Sequence, residues 1–395
     1  MMNAAILSNS YGEGMSGALI AKELKSLDEN IKISAFPLIS FGEEYERKNI
    51  KVIGGHPPPP SGGFLFKSVK TFFADITETF SLPFSYLDRL RRFRKVADCL
   101  IVIGDIPLLT LGCISMRKKA YFLALCKSDY IAPHFALERF IMRKVTKKVF
   151  THDKITAEGL QKSGIDAEFL GNPMMDELSG EIGPFVEGEE ILIGLLPGSR
   201  KEAYKNMSKI GELVKKLLRK KKNLRFAVAL SDTVDKNKMM ESVPELKRRI
   251  DFHYGRFVDI VKDSKLVISL GGTASEQALY LETPVISFPG CGAQNTRSRL
   301  KGQKRLLGDA FILLSFEPQK IAERILEILD DKGLLKELKA KGKERAGESG
   351  GAKKIAQYIY HEEVKTEKMG RESRSRNPES RIPHHHKKLM NQKDE

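Results

Sequence analysis

The feature that most constrains this chain is a regular alternation of short apolar runs with amphipathic stretches. In the first half, Ala4–Ser8, Lys32–Phe36, Cys99–Gly104, Ala120–Leu125, Lys148–Thr151 and Ala167–Leu170 read as strands. Between several of them lie segments such as Ser16–Leu27, whose apolar residues recur at helical spacing. Alternation of this kind means α/β architecture with a largely parallel sheet. A second series runs through Ile191–Leu195, Arg225–Leu230, Asp251–His253, Leu266–Ser269 and Val285–Phe288. Two doubly wound domains therefore fit the 395 residues, joined near Pro173–Gly188, where Gly, Pro and acids cluster. No internal repeat interrupts this order.

Sixty-seven Lys and Arg against 51 Asp and Glu give a net charge of +16, which favours anionic partners: nucleotides, phosphorylated lipids, nucleic acid or an acidic membrane surface. A nucleic-acid-binding module has this charge, but the chain lacks an aromatic-basic stripe or helix-turn-helix signal, so nucleic acid is not an expected partner. The longest apolar runs, such as Cys99–Gly104 and Ala310–Phe316, fall far short of the roughly 20 residues that span a bilayer. Met1–Ser10 lacks the basic start and cleavage site of a signal peptide, so a cytoplasmic location is expected. Cys99, Cys113, Cys126 and Cys291 are scattered without CxxC spacing and read as four buried, reduced thiols. From Lys365 to Glu395 nine basic and five acidic residues stand among almost no aliphatic ones, the composition of a disordered tail. Its three adjacent histidines, His384–His386, have no fixed geometry with which to hold a metal.

One segment breaks the rhythm. Pro57–Gly63 is a turn-rich insert, followed by Phe64, Phe66, Phe72, Phe73, Phe80 and Phe84 interleaved with Lys67 and Lys70, and then by the basic run Arg89–Lys95. Rings beside dense positive charge suit an interfacial membrane patch. A helical pair whose phenylalanines fill the core suits the same residues.

Three loops carry recognisable chemistry. Leu195–Arg200 (LLPGSR) follows a strand and precedes the helical pattern Glu202–Leu218; a glycine turn at a helix start leaves amides free for phosphate, to which Ser199 and Arg200 add a hydroxyl and a fixed cation. The plain alternative is a connection with Ser199 as helix cap. Gly271, Gly272, Thr273 and Glu276 follow Leu266–Ser269 and lead into Gln277–Leu281, so two loops of one domain can surround a diphosphate, with Glu276 in a first turn and able to accept from ribose. Gln294, past Pro289–Gly292, can address a sugar. Neither loop is a GxxxxGK[ST] phosphate loop and no DxD triplet occurs, which argues against an ATPase and against metal-dependent glycosyl transfer. At the carboxyl edge of the first sheet, Gly12 and Glu13 lie in the loop Ser8–Gly14, Asp105 follows Gly104, and Lys127, Ser128 and Asp129 follow a further strand. Asp105 or Glu13 is the candidate general base, and helix capping is the alternative for each.

Taken together, these residues resemble lipid-A-disaccharide synthase and its related proteins, a UDP-sugar glycosyltransferase family. The resemblance is carried by LLPGSR, by Phe169–Asp176 (FLGNPMMD), by Gly271–Glu276 with Pro284, and more loosely by Gly12–Glu13, Gly104–Pro107, Lys127–Tyr130 and Gly290–Gln294 followed by Gln303–Gly308, in order over roughly residues 3 to 330. It implies an α/β GT-B fold. Residues 1–180 would form an acceptor-side Rossmann-like domain, 181–345 a nucleotide-sugar domain, 346–362 a helix crossing back to the first domain, and 363–395 the disordered basic tail.

By position, the resemblance gives Gly198, Ser199 and Arg200 to the donor diphosphate, Glu276 to the ribose and Gln294 to the donor sugar or phosphate. Asp105 becomes the base or the acceptor's guide, with Gly12, Lys127, Ser128 and Asp129 on the acceptor side. Two departures stand out: Leu108 occupies the place of the synthase's second aspartate, and Gly14–Ala18 replaces its Ser-Gly-Asp continuation. The implied activity is inverting, metal-independent and cofactor-free transfer of an N-acetylglucosamine-type sugar from a UDP-sugar to a lipid-linked acceptor. The enzyme would lie peripherally on the inner membrane, held at its anionic surface through Phe64–Lys95. A UDP-N-acetylglucosamine 2-epimerase-like enzyme and an inactive nucleotide-sugar-binding protein are the alternatives.

Overall fold

Each strand expected from the sequence forms, and each joins one of two all-parallel sheets. The computed structural model describes residues 2–9, 11–38, 40–53, 82–178, 185–186, 189–292, 295–347 and 349–375. The first sheet holds β1 (Asn3–Ser8), β2 (Lys32–Pro37), β3 (Lys51–Val52), β4 (Cys99–Ile103), β5 (Ala120–Ala124), β6 (Thr146–Thr151) and β7 (Ala167–Glu168) in the order β3-β2-β1-β4-β5-β6-β7. The second holds β8 (Ile191–Leu196), β9 (Leu224–Leu230), β10 (Asp251–Tyr254), β11 (Leu266–Ser269), β12 (Val285–Ser287) and β13 (Phe311–Leu313) in the order β10-β9-β8-β11-β12-β13. Two strands were not legible beforehand: β3 is a two-residue edge, and β13 is hidden inside the apolar run Ala310–Phe316. The central strands are buried on both faces, β4 along its whole length, as parallel strands covered by helices must be.

Both sheets reverse direction at their first strand. β1 pairs with β2 on one side and β4 on the other, and β8 likewise stands between β9 and β11. Such a reversal parts the following loops at the carboxyl ends of the two central strands and opens a crevice there. The loops that open these crevices are those after β1, β4, β8 and β11, the ones the sequence marks with glycine, serine and carboxylates.

The first helix departs from expectation. It spans Tyr11–Leu27, so Gly12, Glu13 and Gly14 are helical and not part of a loop ending at Ser16. The cause is close packing: a Cβ on Gly14 would collide with the Glu44 side chain, and one on Gly17 with the Tyr45 hydroxyl. These glycines let the helix lie against Glu43–Glu46. In the second sheet's domain, Gly272–Tyr280 is helical as well, so Gly272, Thr273 and Glu276 belong to the helix and only Gly271 caps it.

The closing helix runs Gly351–Ser375 and packs Ala352, Ile355, Ala356 and Ile359 among β1, β2 and β4 side chains of the first domain, the return crossing expected of the chain. It is started by Asp176, which accepts from the amides of Gly350 and Ala352 (2.8 Å for the latter). This gives the last residue of the FLGNPMMD motif a structural task. The helix continues past residue 363, where the disordered tail was expected to begin. Glu363 holds it down by accepting from the Tyr121 hydroxyl at 2.7 Å and from Lys147, and Tyr358 stands edge-on against Tyr121 and Phe150. Residues 376–395 lie outside the described ones. So do residues 64–81 of the expected membrane patch Phe64–Lys95, and in the helix Leu82–Phe93 that follows, Tyr86 and Leu90 are buried, and Phe93 packs edge-on against Phe36.

Candidate active site

On the second sheet, the loops after β8 and β11 converge. Leu270 donates its amide to the Leu196 carbonyl at 2.9 Å, and a Cβ on Gly271 would come within 3.9 Å of the Gly198 Cα. Gly198 has φ +110°, a conformation that glycine adopts without strain. The turn leaves Ser199 and Arg200 exposed at the crevice. Ser199 does not cap the next helix, which starts only at Ala203; its carbonyl accepts from the Thr233 hydroxyl at 2.5 Å. The second loop is wired by serines: Ser275 donates to Gly271 O at 2.6 Å and to Ser269 Oγ at 2.8 Å. Gly272 and Thr273 stay exposed at the helix start, where unpaired amides and the helix dipole favour an anion.

Two residues of this lobe were not anticipated. Asn206, 1% exposed, donates to Pro197 O at 3.2 Å and accepts from the Cys291 amide at 2.7 Å, locking the Gly198 turn to the loop that follows β12. A buried asparagine three residues into an otherwise apolar helix face was its only trace in the sequence. Arg299 lies near Arg200; burial, and then the positive charge of Arg200, lower its pKa from the ordinary value. It belongs to the basic helix Arg297–Leu307, whose Gln303 donates to Gly272 O at 2.8 Å. Gln294 lies outside the described residues.

On the first sheet, Asp105 is a helix cap in fact: its Oδ1 accepts from Leu108 N at 3.0 Å. One carboxylate oxygen is thereby oriented by the backbone. Glu13, on the first helix, accepts from Cys126 Sγ at 3.2 Å. Cys126 is exposed and Cys291 half-buried, against the expectation of four buried thiols; neighbouring protein, then the charges of Glu13 and Asp105, push the Cys126 thiol well above its usual range. Gly12 faces Met174, 3.7 Å from where its Cβ would stand.

The tetrad after β5 divides differently from the reading of it as a set of acceptor contacts. Lys127 is paired to Glu138 at 2.7 Å and lies 3.9 Å over the Phe135 ring. Ser128 is buried, accepts from Tyr130 N and serves Asp153. Asp129 donates its amide to the Thr156 hydroxyl oxygen at 2.9 Å, and burial raises its carboxyl. Ser128 and Asp129 thus build the turn.

The two lobes meet through Glu276. His152, directly after β6, places Nε2 2.9 Å from Glu276 Oε1, and Asn172 of the FLGNPMMD motif donates to the same oxygen at 2.9 Å. Burial opposes charge on His152, but Glu276 and Asp153 outweigh it and push the imidazole up to about 10. The partner Asp153, although raised by burial, is held down to about 2 by His152, Ser128 and Thr156. Gln277 adds a bond to Met174 O at 3.2 Å, and Arg345 stacks 3.7 Å over Tyr130. Two concavities, of about 570 and 850 Å³, lie along this seam, one beside Asp176 and one beside His152, and Ser199, Arg200 and Asp105 line neither.

No family model matches the chain. In sequence it is 24% identical over 289 residues to lipid-A-disaccharide synthase 1 of Legionella pneumophila (strain Paris), covering 68% of this chain and 69% of that protein. In structure it matches the calicheamicin glycosyltransferase CalG4 with a TM-score of 0.65 at 11% identity, over 91% of this chain and 98% of that one. The fold is GT-B. UDP-GlcNAc 2-epimerase from Neisseria meningitidis, solved with UDP-GlcNAc bound, shares the GT-B arrangement at a TM-score of 0.60 and 16% identity, over 91% and 100% of the chains. The GT-B chain described here is thus similar in sequence to a lipid-A-disaccharide synthase and in architecture to transferases and epimerases alike.

Proposed function

We propose that this chain is an inverting glycosyltransferase that moves a sugar, of the N-acetylglucosamine type, from a UDP-sugar to a lipid-linked acceptor. The observation that carries the reading is the anion cradle on the second sheet, where the Gly198 turn and Gly271 approach each other and leave Ser199, Arg200, Gly272 and Thr273 exposed at two helix starts. The relatedness to lipid-A-disaccharide synthase supports the direction of the chemistry. In a single displacement, Asp105 or Glu13 takes the acceptor's hydroxyl proton as its oxygen bonds the anomeric carbon, and the bond to UDP breaks with inversion. Arg200, Arg299 and the loop amides hold the departing diphosphate's charge, the role a divalent ion has elsewhere. Glu276, presented by His152 and Asn172, accepts from the ribose hydroxyls.

The test is to incubate the protein with UDP-N-acetylglucosamine, with and without a lipid-linked sugar acceptor, and to analyse products by mass spectrometry and NMR. The proposal predicts UDP release that depends on the acceptor and a new glycosidic bond of inverted configuration. An epimerase would instead change the C2 configuration without any acceptor, and that product would replace this reading.

A further inference from the structure

Glu276 sits one turn into the helix Gly272–Tyr280, four residues after Gly272 and therefore on the same face. The rise between the two is about 6 Å, the step from a diphosphate held at the helix start to the ribose that carries it. The carboxylate is used unevenly. Its Oε1 takes His152 Nε2 and Asn172 Nδ2, each at 2.9 Å, which occupies both lone pairs of that oxygen. Its Oε2 accepts from no described residue. The side chain is 12% exposed, and Oε2 is not sealed from solvent. A nearly buried carboxylate thus keeps one oxygen for a donor from outside the protein.

Both groups that hold Oε1 come from the first lobe, and each is itself held. Asn172, 1% exposed, accepts from Met174 N at 3.1 Å through Oδ1, which settles the end of the amide that faces Glu276. His152 stands directly after β6, with Asp153 Oδ2 3.6 Å from its Nδ1. Asp153 is fixed in turn, because its Oδ1 accepts from the Thr156 amide at 2.8 Å and hydroxyl at 2.7 Å. On the other side of the seam Gln277, the next residue of the helix, donates to Met174 O at 3.2 Å. A polar chain from Thr156 through Asp153 and His152 to Glu276 therefore crosses from one lobe to the other, and Asn172 closes on its end.

We propose that His152 and Asn172 are positioning residues for the donor: by holding Glu276 Oε1 from the first lobe they aim Oε2 at a ribose hydroxyl, so that the second lobe tells a ribose from a deoxyribose only while the first lobe is docked against it. The inference rests on the reading of Glu276 as the ribose acceptor. It adds the groups that orient the carboxylate and the lobe that supplies them. A glutamate freed of both donors turns about its side-chain bonds and offers either oxygen to water, and the ordering of that side chain then opposes each hydrogen bond it makes to the ligand. Pinned through one oxygen, it meets the hydroxyl already oriented. The donor site is then complete only when the lobes are together, although the cradle for the diphosphate belongs to the second lobe alone.

Calorimetric titration of the full chain with UDP, 2′-deoxy-UDP and 3′-deoxy-UDP tests this. The wild type is expected to bind UDP about tenfold more tightly than the weaker of the two deoxy forms, the worth of one hydrogen bond to a charged acceptor. His152→Ala and Asn172→Ala should each cut that ratio about threefold or more while affinity for the deoxy form stays within about twofold of the wild type. The kept deoxy affinity also reports that the variants are folded. His152→Gln, which retains a side-chain donor, should recover part of the ratio. Glu276→Ala separates the two layers of the argument, since it should bring the ratio to about one. A preference lost in Glu276→Ala but intact in His152→Ala and Asn172→Ala would overturn the proposal and leave the ribose reading standing. Equal weakening of UDP and the deoxy forms in those two variants would overturn it too, because the residues would then serve the seam alone. A preference that survives Glu276→Ala, or none in the wild type, would remove the ribose reading and the proposal with it.

Discussion

Single residues in this chain serve packing and chemistry at once, and substitutions can separate the two. Asp105 caps its helix through Oδ1 and is also the proposed base. Asparagine caps as well as aspartate, so Asp105→Asn should leave thermal stability unchanged and abolish turnover, whereas Asp105→Ala should also cost about 1 kcal/mol of stability. Normal turnover by Asp105→Asn would assign the base to Glu13. Asn206 is a positioning residue that touches no substrate. Asn206→Ala leaves the Cys291 amide and the Pro197 carbonyl without their partner, a loss of about 1–3 kcal/mol, and should weaken UDP binding by freeing the Gly198 turn. Denaturant melts and UDP titration of the same variant would show both effects, and a stability loss with unchanged UDP affinity would confine Asn206 to the fold. His152 adds a pH dependence. Its pKa is raised from 6.5 to about 10 by Glu276 and Asp153. The bridge is therefore fully present below about 6.5 and is lost as the pH climbs through about 10. Melting temperature should fall over that range in the wild type and fall less in His152→Ala.

At the scale of elements, the closing helix is the one on which the first domain depends from outside its own stretch of sequence. Ile355 is buried in the core beneath it, so Ile355→Ala should cost about 2–5 kcal/mol in a urea melt. Asp176→Ala should destabilise by less, through its two amide bonds to the helix start. Equal melts for wild type and Ile355→Ala would mean that the crossing helix is not part of the cooperative unit. Strand identities were readable in the sequence because buried parallel strands are short, apolar and flanked by turns. Helix starts were less readable. The glycines at 12, 14 and 272 looked like loop glycines, yet they sit in helices, since sequence does not say whether a missing side chain frees a turn or admits a neighbour. The length of the last helix was missed for a similar reason: its anchor is Glu363, whose partners Tyr121 and Lys147 are more than 200 residues away in the chain.

For the whole molecule, the two order reversals set the loops after β1, β4, β8 and β11 at the carboxyl ends of the central strands. The sequence showed which loops these would be, because each follows a strand and holds glycine, serine or a carboxylate. It could not show that Glu276 would be held by His152 and Asn172 of the other lobe, that Arg299 would stand with Arg200, or that Ser128 would be buried. Those facts depend on the docking of one sheet's loops against the other's. The central claim is that the second lobe binds a uridine diphosphate in a cradle of amides and guanidiniums. Calorimetric titration with UDP, ADP and GDP, without added metal, on the wild type and on Arg200→Ala tests it most directly. Selective binding of UDP is expected, weakened at least tenfold, or about 1.4 kcal/mol, in Arg200→Ala. Failure of the wild type to bind any of the three would contradict it and leave a fold of this class with its donor site lost.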